Sequence, residues 1–216
     1  MPTAGFTRRR PQPAREGSLS ELEALARDAA HGAGLPWGLA EEAGVAVRWL
    51  AARRLPGAEL AADWLERRGD HDSAELAPSG GRGIWLAQGE RLCPFVAGAA
   101  IADRAAGELV LGPVAAPLLL APFAALAARA QGGGLELAWE GALVCLAVDG
   151  EGWRAEGPEL AAAQAAGVSL HPASAAVQPG RPKPKRPELP LTLWRRLEAL
   201  AARSRVGGGD GVGREA

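Results

Sequence analysis

HGAGLPWGLAEEAG, from His31 to Gly44, interrupts two alanine- and leucine-rich segments with Gly32, Gly34, Pro36 and Gly38. Upstream, Ser20 and Glu23 have the spacing of a capping box, and Leu22, Leu25, Ala26 and Ala29 recur at helical intervals. This predicts a helix reaching about His31, with Gly32 as the residue just past its end. Downstream, Ala43, Val45, Ala46, Val47, Trp49 and Leu50 predict a helix over about Leu39–Arg54, closed by Pro56-Gly57. The stretch therefore reads as helix, corner, helix.

The corner has two readings. In the first it is a tight turn: Gly32 and Gly34 permit positive φ, Pro36 holds Leu35 extended, and Trp37 enters the core. Glu41 and Glu42 then complement the positive helix start. In the second the same residues wall a pocket. Gly32, Gly34, Trp37 and Gly38 are then the ligand-binding candidates, and Glu41, Glu42, His31 and Asp103 the catalytic candidates. A carboxylate beside an indole would have a raised pKa and could serve as a general base.

A third helix is expected over about Ala58–Arg68, with Leu60, Trp64 and Leu65 inward, and a loop over 70–82. Ile84–Leu86 reads as a strand. Residues 93–105 begin with the apolar run CPFVAGAAI, which has no clear period, and strand and helix both stay open there. Leu109–Ala128 (LVLGPVAAPLLLAPFAALAA) is uncharged and long enough to cross a bilayer. Gly112, Pro113, Pro117 and Pro122 argue instead for a buried strand, a turn and a core helix. Leu135–Trp139 and Ala142–Val148 flank Glu140-Gly141 as a hairpin. Trp153–Ala155 and Val168–His171 read as further strands, and Pro158–Ala166 as a helix with proline in its first turn. From Pro172 to Pro190 the chain is proline-rich and carries the basic run RPKPKR. Thr192 is placed to cap a last helix, Leu193–Arg203.

These elements predict an α+β fold: an N-terminal helical hairpin or bundle packed on a small, mainly antiparallel sheet, with a C-terminal helix after a Pro-rich linker. The expected division is a disordered extension over 1–17 and a single domain over 18–171. The linker or arm over 172–190 follows, then a docking helix over 191–204 and a disordered tail over 205–216.

Composition narrows the function classes. The chain has 216 residues and a formal net charge of −1, which gives no global pull toward nucleic acid or anionic membrane. Tyrosine is absent and the only lysines are Lys183 and Lys185; this use of arginine fits phosphate recognition, but codon bias of a GC-rich bacterial genome is the preferred reading. RPKPKR lacks interleaved aromatics, so a solvated linker is the better reading and no nucleic-acid partner is expected. Cys93 and Cys145 are too few for a disulfide framework and read as packed thiols in a reducing cytoplasm. A nucleophilic Cys93–His pair is conceivable, but sequence carries no distance. Arg8, Arg9 and Arg10 have no apolar segment after them, so the start is not a secretory signal.

His31, His71 and His171 are scattered, and neither H-E-x-x-H nor a C-x-x-C pair occurs. His71, Asp72 and Glu75 are the nearest approach to a ligand set, so no metal and no cofactor are predicted. G-x-G-x-x-x-G follows a helix, not a strand, which fails the dinucleotide fingerprint. No phosphate loop and no G-x-S-x-G elbow are present.

The stretch SLSELEALARDAAHGAGLPWGLAEEAGVAVRWLAARRL resembles an uncharacterised bacterial family, domain of unknown function 3726. Ser20, Glu23, Ala26, Gly32, Gly34, Trp37, Gly38, Ala40, Glu41 and Glu42 carry the likeness. CPFVAGAAIADRA, Trp139-Glu140-Gly141 and WRRLEALAARS extend it to about Ser204. The glycine-rich tail from Gly207 departs from it. The resemblance implies no activity, cofactor or catalytic residue.

Two functions remain. One is a small-molecule-binding or catalytic domain with its pocket at the Gly32–Glu42 corner. The alternative is a non-catalytic accessory or assembly protein, docking a partner or a second copy through the Pro-rich arm and terminal helix.

Overall fold

A computed structural model describes residues 13–69, 75, 77–80, 83–104, 107–174, 177 and 186–206. Strand β1 (Ala14–Glu16) leads into three helices, α1 (Leu19–Gly32), α2 (Trp37–Ala51) and α3 (Gly57–Arg67). Strands β2 (Pro78–Ser79) and β3 (Ile84–Ala87) precede α4 (Pro94–Asp103). Then come β4 (Leu109–Leu111), β5 (Val114–Ala115), a 3-10 turn (Pro117–Leu120) and α5 (Ala121–Gln131). Strands β6 (Leu135–Trp139), β7 (Ala142–Leu146), β8 (Trp153–Glu156), β9 (Gln164–Ala165) and β10 (Val168–Pro172) follow. Strand β11 (Glu188–Pro190) and α6 (Leu191–Val206) close the chain.

The fold is α+β. Its main sheet has seven strands in the order β2-β3-β4-β10-β6-β7-β8, larger than expected. All neighbours are antiparallel except β3 and β4, whose parallel pairing is made possible by the α4 crossover between them. On the inner face Leu111, Val168, Leu137, Val144 and Leu146 are fully buried, whereas Val110 points outward to solvent. Helix α5 covers β6 and β7, α4 packs beside it, and α1, α2, α3 and α6 form the outer helical layer.

The helix starts illustrate how packing selects among equivalent local signals. The capping box forms at Ser18 and Glu21: Glu21 N donates to Ser18 Oγ (3.0 Å) and Ser18 N to Glu21 Oε2 (2.7 Å). Ser20 and Glu23 have the same spacing but do not cap. Glu23 instead pairs with Arg48 on α2 at 2.7 Å. Gly17 fixes the choice of register, because it lies flat against the Trp194 indole, where a Cβ would stand 2.4 Å from the ring.

Several expectations are corrected. Segment 93–105, left open, forms α4 over 94–103, with Pro94 in its first turn and Gly98 letting it close on Phe123. Pro158–Ala166 is not a helix. Its backbone is taken by tertiary partners: Trp139 Nε1 donates to Glu159 O (2.9 Å), Ala116 N donates to Ala163 O (2.9 Å), and Gln164–Ala165 pairs with β5. The stretch 14–16, expected to be disordered, and 188–190, expected in the linker, pair with each other as β1 and β11. Trp194 holds them down: its ring carries Arg15 at 4.5 Å and its Nε1 donates to Arg15 O (3.3 Å). Helix α6 begins at Leu191, ahead of the expected Thr192 cap. Most of RPKPKR, the N-terminal arginines, His71, Asp72 and the glycine-rich tail lie outside the described residues.

Among the described residues, no helix is long and apolar enough to cross a membrane. Leu109–Ala128 is divided into β4, β5, the 3-10 turn and α5, as its prolines required.

Candidate functional site

Helix α1 ends in a Schellman motif. Leu35 N donates to Ala30 O (3.1 Å) and Gly34 N to His31 O (2.9 Å), with Gly34 at φ +90°. Gly34, not Gly32, is thus the residue past the helix end. Gly32 is still helical and is a contact glycine: a Cβ there would stand 2.0 Å from Leu200 O on α6. Gly34 is exposed, with the Arg68 guanidinium, which donates to Ala33 O, 3.0 Å from where an added Cβ would stand.

Trp37 does not enter the core. It is 49% exposed, sits edge-on to His31 at 4.8 Å between ring centroids, and has Arg27 over its ring at 5.4 Å. His31 is oriented by Leu35 O, which accepts from its Nδ1 at 3.2 Å. Of the corner residues, Gly38, Glu41 and Glu42 line a cavity of about 380 Å³; His31, Gly32, Gly34 and Trp37 do not.

The cavity lies between two helical stripes. Gly38, Glu41, Glu42, Val45, Ala46 and Trp49 occur at intervals of three and four, so α2 presents all of them on one side. Opposite them α5 presents Pro122, Phe123, Ala125, Leu126 and Arg129 with the same periodicity. Ala102 near the end of α4 contributes at one side, and the turn Asp149-Gly150-Glu151 between β7 and β8 at the other. The floor is apolar and buried at Ala46, Phe123 and Ala125. Val45 and Leu126, 49% and 53% exposed, leave aliphatic surface to water at the rim. Gly98 of α4 lies against the Phe123 ring, where a Cβ would come within 2.3 Å, and so seats that ring in the floor.

Two arrangements fix the walls. Asp149 accepts from Glu151 N (2.8 Å) and Gly152 N (2.9 Å), which folds the turn and holds its carboxyl below the usual carboxylate range. Gly150, at φ +70°, lets that turn rest on α5, since a Cβ would stand 2.9 Å from Ala125 O. Arg53, 5% exposed, then ties the turn to α2. Its guanidinium lies 3.6 Å from the Trp49 ring centroid and donates to Trp49 O (3.1 Å) and Glu151 Oε2 (3.2 Å). Burial pushes the Arg53 pKa down, and Glu151 opposes that shift.

At the other end Glu42 is held above the ordinary carboxylate value, first by burial and then by the negative charge of Asp103. Asp103 thus acts on the cavity through Glu42, although it does not itself line it. Loss of a neighbour's proton to Glu42 is the acid–base chemistry this arrangement can support.

Trp49, Arg53, Asp149 and Glu151 were not among the sequence candidates. The signal for the α2 wall was present, because Glu41, Glu42, Val45 and Trp49 share a helical stripe, but Val45 and Trp49 read equally well as core. Nothing local in Asp149-Gly150 distinguishes it from any other turn. Cys93 is fully buried and its thiol is pushed up by burial, so it packs as a core residue.

No curated protein matches the chain. A crystal structure of malate dehydrogenase from Entamoeba histolytica is similar at 10% identity and a TM-score of 0.38, over 58% of this chain and 38% of that one. The chain therefore spans well under half the length of that protein. Residues 17–93, which include α1, α2 and the acidic wall of the cavity, match the family described as Protein of unknown function (DUF3726).

Proposed function

We propose that the chain is a small-molecule-binding domain whose site is the cavity between α2 and α5. One observation carries the reading: a hollow of about 380 Å³ with an apolar floor is rimmed by charged side chains that rigid elements hold in place. Its volume falls in the range of roughly 300–1,000 Å³ common for small-ligand sites. Exposed Val45 and Leu126 leave aliphatic surface that a bound molecule would remove from water. Glu42 is the residue suited to take a proton from such a molecule, given its raised pKa. Cys93 and Cys145 are both free and buried, which supports a reducing compartment, the cytoplasm, as the place of action.

The assembly alternative has less support. The apolar face of α6, at Leu193, Trp194, Leu197 and Leu200, is buried, and α6 packs on α1 and α3 of its own chain.

A thermal-shift screen of the full chain against a metabolite library tests the proposal. A ligand at about 100 times its Kd stabilises by roughly 2.7 kcal/mol. Stabilisation is expected in the wild type and lost in Val45→Trp and Leu126→Trp, which fill the cavity from exposed rim positions. A silent screen, or hits that both variants retain, would overturn it.

A further inference from the structure

We infer that the cavity takes an organic cation, a small ammonium ion carrying an aromatic or alicyclic body. This rests on the reading of the cavity as a small-molecule site and names the class of its ligand.

Charge complementarity is the first argument. Among the described residues, Glu41, Glu42, Asp149 and Glu151 line the cavity against a single cation, Arg129. Two of these acids are already compensated: Glu151 by Arg53, and Asp149 by two backbone N–H groups. Among the described residues, no Arg or Lys forms an ion pair with Glu41 or Glu42. Asp103 adds negative charge beside Glu42. The end of the cavity formed by the start of α2 is therefore the end that lacks a positive partner. A bound ammonium would relieve the repulsion between Glu42 and Asp103 and reduce the electrostatic cost of Glu42's partial burial.

The second argument is the apolar surface. Trp49, Phe123, Val45 and Leu126 supply a floor and rim that match a hydrocarbon or aromatic body and not a hydrated inorganic ion. No three of the described His, Cys, Asp and Glu side chains converge closely enough to hold a metal, which also favours an organic cation. Among the described residues, an anion would meet Arg129 alone as a cation, against the unpaired carboxylates of Glu41 and Glu42.

Three probes share one apolar body and differ in head charge: 2-phenylethylammonium, 2-phenylethanol and 3-phenylpropanoate. Their affinities for the full chain are measured by calorimetry near neutral pH, in the wild type, Glu41→Gln/Glu42→Gln and Val45→Trp. The ammonium is expected to bind about tenfold or more tightly than the alcohol, with the carboxylate weakest. The preference should collapse in the double variant while alcohol binding persists, and Val45→Trp should weaken all three. If the alcohol or carboxylate binds as well as the ammonium, and Val45→Trp blocks it, the ligand class is wrong and the cavity reading stands. If none of the three binds, the cation inference fails. If binding is indifferent to Val45→Trp, the site lies elsewhere and both readings fall.

Discussion

Gly32→Ala should destabilise the protein, and Gly38→Ala, six residues along the same corner, should not. At Gly32 the added methyl would stand 2.0 Å from Leu200 O and 3.0 Å from the Leu200 carbonyl carbon. Close carbon–oxygen contacts lie near 3.3 Å, so α6 must retreat from α1 by about 1 Å. The obstacle is helix backbone, which cannot rotate away as a side chain can. Retreat would loosen Trp194, Leu197 and Leu200, all of them buried. Overpacking of this kind costs about 1–3 kcal/mol. The better helix propensity of alanine returns at most about 1 kcal/mol. A clash with backbone belongs in the upper part of the overpacking range, about 2–3 kcal/mol, so the net loss is about 1–2 kcal/mol, which for a chain of this size lowers Tm by about 2–8 °C. At Gly38 an added Cβ meets nothing within 4 Å, so propensity acts alone and the variant should be unchanged or stabilised by up to about 1 kcal/mol. Urea unfolding followed by circular dichroism reads both. A Gly32→Ala protein as stable as wild type, or a Gly38→Ala protein that loses as much, would refute the close α1–α6 crossing.

Glu42→Gln tests the electrostatics of the cavity. Because the folded pKa of Glu42 is raised, its ionised form opposes folding, an effect absent below the ordinary carboxylate range and complete above the folded value. The variant should therefore gain stability at pH 7, by less than about 0.5 kcal/mol since Glu42 stays in contact with water, and lose that gain on acidification. A gain independent of pH would count against desolvation as the cause. Arg53→Ala should cost about 2 kcal/mol, because it removes the packing on Trp49 and the bonds to Trp49 O and Glu151 together. Glu151→Ala should cost about half as much, since Arg53 keeps the other partners; the reverse order in chemical denaturation would dismiss the turn anchor. Arg196→Ala should cost about 1 kcal/mol by breaking the clamp on α3, where Arg196 meets Glu66 at 2.6 and 2.9 Å and Asp63 at 2.5 Å. That cost should shrink in 1 M salt, where the Debye length is about 3 Å. Ellman's reagent should modify neither Cys93 nor Cys145 until the chain is unfolded, and rapid labelling of folded protein would contradict their burial.

What could be read from the linear chain was whatever depends on neighbours within a turn or two. The periodicity around Leu22, Ala26 and Ala29 determined α1; the prolines and Gly112 ruled out a membrane span over 109–128; Glu140-Gly141 between two apolar runs determined the β6–β7 hairpin. Local signals that occur twice, or that need a partner, were decided only by tertiary contact. Ser18 and Ser20 offer the same capping pattern, and the seat of Gly17 on Trp194 selects the first. Pro158–Ala166 has a helical composition, yet Trp139, Ala116 and β5 claim its backbone groups. The cavity follows the same rule. Glu41 and Glu42 are visible as acids at a helix start, but Asp103, which acts on Glu42, and Phe123, Asp149 and Glu151, which complete the cavity, come from elements far along the chain. Helical spacing encodes which side of α2 a residue occupies; whether that side meets core or solvent is set by where α5 and the β7–β8 turn come to rest, and Trp49, not the more conspicuous Trp37, ends up facing the hollow for that reason.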